Sequence, residues 1–307
     1  MRIYAIFPWT GGKHGLVPYL LKLIPEHHTY VEVFGGAAAL LFYKKPSGLE
    51  FYNDINSDLV NFFQVLRDPQ LFPRLYRMLL LTPYSREEFQ NAKRYLQTPI
   101  DQSDCLYRAY YFFIVAKMSF GGNISGGGWQ YSVTTKKKTH HPLNWVNAIH
   151  RLPQFFHRIQ NVYIENLDFR EIIKRHDRPD TLFYLDPPYP HQTRSKKQLY
   201  QYEMSDQDHH ELISLVTKAK GKILVSTISN PIYDQLKNYG WKLYEIKRIS
   251  SVAATPKGNP KPIRLEQIWV SPNISSNNLD LPNLSLQEGY QQLNLSLPEG
   301  EINSNGT

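Results

Sequence analysis

TYVEVFGGAAALLFYKKPSGLEFYND occupies residues 29–54. Its opening, TYVEVF (29–34), is dense in β-branched and aromatic residues and fits a buried strand. GAAALLFYKK (36–45) turns to small and unbranched residues suited to a helix, and LEFYND (49–54) returns to strand composition. A strand, a helix and a strand in so short a stretch make a βαβ unit, which joins parallel strands and predicts an α/β fold. The alternation resumes in the second half. VYIEN, TLFYLD, KILVST and LEQIWV read as strands, with helices around 169–176, 206–219 and 231–238. Between the two parts, DPQLFPRLYRMLLL and SREEFQNAKRYLQ read as amphipathic helices and YRAYYFFIVAKM (107–118) as a mostly buried one. SFGGNISGGGWQYSVTTKKKTHH (119–141), rich in Gly and Lys, reads as a loop or hairpin. The expected organisation is one sheet built from 1–65 and 151–270, a mainly helical insertion over 66–150, and a flexible tail over 271–307 rich in Asn, Ser, Leu, Gln and Pro.

Composition narrows the function classes. Of 307 residues, 41% are hydrophobic and 20% charged, as in an ordinary globular protein with a core of its own. A single cysteine, Cys105, excludes an internal disulfide and a multi-cysteine zinc site. No apolar run is long enough to span a bilayer. The start, MRIYAIFPWTGGK, is broken by Pro8 and Gly11 and does not resemble a signal peptide, so the expected location is the cytoplasm. The histidine pairs His27–His28, His140–His141 and His209–His210 lack metal-ligand spacing and read as surface residues; no metal is expected. The net charge is +8. Residues 271–307 hold Asp280, Glu288, Glu299 and Glu301 and no Lys or Arg, so residues 1–270 carry all 35 basic residues against 23 of the 27 acidic ones. A body this basic suits a polyanion such as nucleic acid, although a solvated, lysine-rich surface would look the same.

Two stretches at strand ends carry chemistry. In VEVFGGAAAL (31–40) a strand runs into two glycines and then small residues, where backbone and ligand can approach closely. Asp54 ends the next strand, 18 residues beyond Gly36, about where an acidic residue accepts hydrogen bonds from ribose hydroxyls. The full G-x-G-x-x-G pattern is absent, and Asp54 could equally cap the following helix. TLFYLDPPYP (181–190) is the sharper signal. A strand delivers Asp186, Pro187, Pro188 and Tyr189 to its end. The prolines fix two φ angles and remove two N–H donors, leaving the Asp186 carboxylate and the prolyl carbonyls as acceptors beside an aromatic face. Such a site suits an exocyclic amine on a flat ring. By composition this tetrapeptide arises by chance in about one in a thousand chains of this size.

With these residues in view, the chain resembles the Dam-like DNA adenine methyltransferases over nearly all of residues 6–270. FPWTGGKHGLVPYLLKLIP (7–25) is close to the family's W-x-G-G-K opening. YVEVFGGAAALLF (30–42) stands where the family has E-P-F-x-G-x-G, with Val33 for the proline and Ala for later glycines. EFYNDINSDLVNFFQVLRD (50–68) matches the N-D-I-N segment, ENLDFREII (165–173) the G-D-F segment with Leu167 for its glycine, and DPPY (186–189) is intact. The order, with the insertion between glycine loop and DPPY, is also the family's.

The resemblance implies a Rossmann-like methyltransferase sheet with helices on both faces, plus an inserted DNA-recognition region. It implies S-adenosylmethionine as methyl donor and double-stranded DNA as partner, with transfer to the adenine N6 amino group of a flipped base. Asp186, Pro187 and Tyr189 would be catalytic. Trp9, Lys13, Phe34, Gly35, Gly36, Asp54, Asp168, Phe169 and Asp186 would bind the cofactor. In the insertion, Lys117 stands near a family arginine and SFGGN (119–123) resembles the C-F-N-G segment. Lys117, Asn123, Lys136, Lys137 and Lys138 would contact DNA, with Gln130 and Arg108 as further candidates for base edges. Three settings stay open: pairing in function with a restriction endonuclease, a phage enzyme, or a solitary host enzyme. Methylation of cytosine N4 or of an RNA amine is the nearest alternative chemistry, and a catalytically silent DNA-binding module the alternative class.

Overall fold

The computed structural model describes residues 5–9, 11–99, 102–124, 126–132, 140–190, 202–249 and 263–274. Lys136, Lys137 and Lys138, and the tail beyond Ile274, lie outside the described residues. Among the described residues seven strands form one sheet: β1 (Thr29–Glu32), β2 (Leu49–Asn53), β3 (Tyr163–Glu165), β4 (Thr181–Leu185), β5 (Lys222–Ile228), β6 (Lys242–Ile249) and β7 (Ile263–Val270). Their spatial order is β3-β2-β1-β4-β5-β7-β6. The pairs among β3, β2, β1, β4 and β5 are parallel, and β7 runs antiparallel between β5 and β6. The expected α/β Rossmann-like sheet with helices on both faces is therefore present. The chain steps outward from β1 in both directions, to β2 on one side and β4 on the other. That switch point opens a crevice at the carboxyl ends of the parallel strands, where ligands of such sheets bind.

The strand side chains alternate between two apolar layers. Tyr30, Leu182, Tyr184 and Leu224 face a large cluster, and Val31, Val33, Phe183, Leu185 and Val225 face a smaller one on the opposite side. Helices α1 (Val17–Leu23), α2 (Ala39–Tyr43), α3 (Ser57–Arg67), α4 (Leu71–Leu80), α5 (Arg86–Leu96), α6 (Cys105–Met118) and α7 (His141–Ile159) contribute to the large layer. The small layer receives α8 (Phe169–His176), α9 (Asp206–Val216) and α10 (Pro231–Asp234). No helix among the described residues is long and apolar enough to cross a membrane.

Helices α1, α3 and α7 and strand β6 go beyond what the sequence reading names. Helix α3 hides behind β-branched and aromatic residues (Val60, Phe62, Phe63, Val65), yet Asn56 caps it by accepting from the Asp58 and Leu59 amides at 3.1 and 3.2 Å. Strand β6, KLYEIKRI, carries the charges expected of a sheet edge, which mask its pattern. Helix α7 begins with a proline in its first turn and runs across position 150, where the sequence had suggested a return to strands.

The helices between β2 and β3 share the sheet's core. Phe113 of α6 stacks on Phe62 of α3 with ring centroids 5.7 Å apart, and Phe7 packs edge-on against Phe62 at 5.4 Å. Arg108, a candidate base reader, is instead buried. It pairs with Asp58 at 2.6 Å and donates to the last carbonyls of α5, including Leu96 at 3.1 Å. His209 is likewise not a surface residue: it is buried and bonded to the Tyr233 hydroxyl at 2.8 Å. Phe113→Ala should cost about 3–5 kcal/mol and lower the midpoint of a single denaturant transition. A separate early unfolding of the helical part, with the sheet unaffected, would contradict the shared core.

Candidate active site

The register sets the site. Glu32 lies opposite Tyr184 across the β1–β4 pair, so the residues that follow each strand emerge side by side. After β1 come Phe34, Gly35 and Gly36; after β4 come Asp186, Pro187, Pro188 and Tyr189. A cleft opens between them, lined by both segments together with Trp9, Lys13, Asp54 and Asn123, and it encloses about 1010 Å³ with its open mouth included.

The glycine loop is held from three sides. The Gly35 amide donates to the Asn53 carbonyl at 2.8 Å, the Gly36 amide to the Asp54 carboxylate at 2.9 Å, and the Tyr52 hydroxyl to the Gly36 carbonyl at 2.8 Å. Gly36 has φ +49°, and a Cβ there would come within 2.8 Å of the Trp9 indole nitrogen, while one on Gly35 would strike the Tyr52 ring. Only glycine fits. Helix α2 begins later than expected, at Ala39, after Ala38 in a left-handed conformation. The Gly36 amide is thus committed to Asp54 and is not free for a ligand. Asp54 also accepts from the Asn56 amide at 2.9 Å, and the cap of α3 is Asn56, not Asp54. Burial pushes the Asp54 carboxyl above its ordinary value, against the pull of these amides.

Opposite the loop sits a charged cluster. Lys13, 4% exposed, has its ammonium 3.1 Å from the Asp186 carboxylate and 3.3 Å from that of Glu266 on β7. It also contacts the Tyr189 hydroxyl and lies 4.4 Å from the centre of that ring. Tyr189 in turn donates to Glu266 at 3.0 Å. Burial opposes the Lys13 charge, but Asp186, Tyr189 and Glu266 outweigh it and hold the ammonium well above its usual value. Burial pushes the Asp186 carboxyl up to about 7; Lys13 opposes that shift and Glu266 adds to it. On the other side, Glu32 is buried, accepts from Tyr30 and the Leu41 amide, and is pushed up to about 8 chiefly by burial.

Of the residues singled out from sequence, Trp9, Lys13, Phe34, Gly35, Gly36, Asp54, Asp186, Pro187 and Asn123 meet around this cleft. Tyr189 is 4% exposed and stands behind the lining, engaged with Lys13 and Glu266. Asp168 caps α8 through the Arg170 amide at 2.8 Å and pairs with the Arg170 side chain, which also holds Asp208 and Glu211. Phe169 packs behind Phe34 at 5.8 Å and does not reach the lining. Lys117 is half-buried on α6; burial, with Arg151 nearby, lowers its pKa to about 8. Gly122, at φ +69°, presses against the Pro8 carbonyl, so the 119–124 segment forms a wall of the cleft.

Several site residues escaped the sequence reading. Glu32 carried a signal, an acid inside an otherwise apolar strand. Glu266 carried little, because its value depends on β7 entering the sheet antiparallel. Tyr202, Ile55 and Ile124 also line the cleft and look ordinary in sequence.

The arrangement offers hydrogen-bond acceptors from Asp186 and Pro187 beside a glycine-walled cleft that ends at the Asp54 carboxylate. Residues 9–252 match the family described as D12 class N6 adenine-specific DNA methyltransferase. The Type II methyltransferase M1.LlaDCHI of Lactococcus lactis subsp. cremoris is 26% identical over 275 residues, covering 81% of this chain and 90% of that protein. The DNA adenine methylase of Vibrio cholerae serotype O1 is 26% identical over 191 residues, covering 60% of this chain and 65% of that protein. A match across most of the chain, with cleft and DPPY turn in the same crevice, settles the family: the chain belongs to the D12 class of N6 adenine-specific DNA methyltransferases.

Proposed function

We propose that the chain is a site-specific enzyme of this class, with S-adenosylmethionine in the β1–β4 cleft and duplex DNA against the face bearing residues 119–132. The observation that carries this reading is the Asp186 carboxylate at the end of β4, beside Lys13 and facing the glycine loop. The cleft suits the methyl donor. Its floor excludes a Cβ at Gly35 and Gly36, and the Asp54 carboxylate, anchored by the Gly36, Ile55 and Asn56 amides, keeps acceptor capacity for a ribose hydroxyl. Trp9 and Phe34 supply apolar walls. Asp168 and Phe169 would act one layer back, by setting the position of Phe34. When bound, the donor supplies a methyl group already activated on a positive sulfur, so the chain needs no nucleophile of its own.

The residues then have a limited task. The adenine amino lone pair is delocalised into the ring. N–H hydrogen bonds to the Asp186 carboxylate and the Pro187 carbonyl hold the amine toward tetrahedral geometry and offset the positive charge that grows on nitrogen as it takes the methyl group. The bond formed is N–C, the bond broken is C–S with its electron pair left on sulfur, and the amine then releases a proton. The base must leave the duplex, at a cost of a few kcal/mol. Tyr189, pinned by Lys13 and Glu266 behind the lining, would act from there by holding the Asp186–Pro187 turn in place. Asn123 in the cleft wall and Lys117 behind it are the described candidates for DNA contact, with Lys136, Lys137 and Lys138 as phosphate contacts that position without specifying. The Type II name of the Lactococcus relative supports functional pairing with a restriction endonuclease, and a DNA substrate supports a cytoplasmic location.

Two measurements test this reading. Asp186→Ala should abolish transfer of labelled methyl groups to DNA while DNA affinity largely survives; turnover retained in that variant would refute the role. The pH dependence follows from the raised Asp186 pKa. With its proton on, the group loses its charge as an acceptor. The value of kcat/KM should therefore climb tenfold per pH unit below about 7 and level off above it. The folded chain also binds this proton more tightly than the unfolded chain, whose value is near 3.8. Its contribution to stability is thus fully present below that lower value and is lost as pH rises through about 7. A flat rate profile between pH 5 and pH 8, roughly one to two units either side of the midpoint, would contradict the assignment.

A further inference from the structure

We propose that Glu266 is a positioning residue of the transfer site: it shares the Lys13 ammonium with Asp186 and anchors the Tyr189 hydroxyl, so that Lys13 does not neutralise Asp186 alone. The inference rests on the reading of Asp186 given above.

The fold explains how a residue so late in the chain arrives there. Strand β7 runs against the parallel strands, so its early residues lie at their carboxyl ends. Glu266 pairs with Ile228, the last residue of β5, and with Ile246 on β6. From that place its buried carboxylate turns into the cluster rather than to solvent. An ammonium has three N–H donors. Those of Lys13 have three acceptors, the Asp186 carboxylate, the Glu266 carboxylate and the Tyr189 oxygen. The Tyr189 proton goes to the same Glu266 oxygen that faces Lys13.

Charge makes the arrangement consequential. Lys13 with Asp186 alone would be a neutral pair and would offer little field to an amine becoming cationic. With both carboxylates ionised, Glu266 returns the cluster to net negative charge while its own carboxylate stays buried behind Asp186, which faces the cleft. It does so in a site where burial strengthens every Coulomb interaction. Among the described residues, the other groups that face Asp186 are Tyr184 from β4, Glu32 from β1 and Tyr233 from α10. None of them pairs with Lys13 through a carboxylate. The direction of the Coulomb effect agrees: Glu266 makes Asp186 hold its proton more tightly, and Lys13 less.

The test compares the intact chain with Glu266→Gln, Glu266→Asp and, in parallel, Asp186→Ala. Methyl transfer to DNA is followed against pH, together with the affinities for S-adenosylmethionine and DNA and the thermal unfolding midpoint. Glu266→Gln keeps the size and removes the charge. Its kcat should fall about ten- to a hundredfold, and the acid limb of kcat/KM should move down by about one pH unit, with both affinities unchanged. Glu266→Asp, which draws the carboxylate back, should move both quantities the same way by less. A residue that only supports β7 would lower the unfolding midpoint and the yield of active enzyme but leave the acid limb in place. That result, in either Glu266 variant, overturns the proposal. Should Glu266→Gln not fold, an unmoved acid limb and unmoved kcat in Glu266→Asp overturn it equally. Turnover surviving in Asp186→Ala would instead strike the underlying reading of Asp186, so the two failures are distinguishable.

Discussion

An ammonium group has been taken out of water at the junction of three distant parts of the chain. Lys13 comes from the segment before α1, Asp186 from the end of β4 and Glu266 from β7, and the ammonium lies within 3.3 Å of both carboxylates. Burial of one charge would be very costly, and of two carboxylates without a cation costlier still, so each member is tolerated only because the others are there. This mutual dependence draws the N-terminal segment over the carboxyl ends of the central strands. Trp9 thereby closes on Gly36, and Pro8 meets Gly122 of the segment after α6. One ion cluster thus defines the cleft's charge and two of its walls.

The sheet explains why the pieces are at hand. A register that sets Glu32 against Tyr184 makes the glycine loop and the DPPY turn neighbours without any further device. The Asn53 side chain ties the start of the glycine loop to the turn after β3, donating to the Val33 and Leu167 carbonyls at 2.9 and 3.0 Å. Placement of the helical part between β2 and β3 is equally economical. Its helices bury Phe112, Phe113 and Trp145 in the layer that also holds Tyr30 and Tyr184. The 119–124 wall is therefore carried on a rigid support rather than on a separate lobe.

Much of this was legible from residues alone. The βαβ opening, the later strands and the helices between them follow from period and composition, because each buries a regular face. The DPPY turn was legible because two prolines at a strand end leave a narrow set of conformations. Other features depend on partners far away in sequence. Nothing local in LEQIWV says that it enters antiparallel between β5 and β6, and so nothing local marks Glu266. Arg108 looked free to reach DNA because its partner, Asp58, is brought close only by packing of α3 on α6. Asp168 and Phe169 were placed against the cofactor through resemblance, whereas here Arg170 occupies the carboxylate and Phe34 stands in front of the ring.

The central claim is that the crevice between β1 and β4 holds the methyl donor with its reactive end beside Asp186. A crystal structure with sinefungin, a donor analogue carrying an amine at the position of the transferable methyl, tests it most directly. Sinefungin's ribose hydroxyls should lie at Asp54 and that amine within hydrogen-bonding reach of the Asp186–Pro187 acceptors. Sinefungin bound away from the glycine loop, or in the cleft with its amine turned from Asp186, would contradict it.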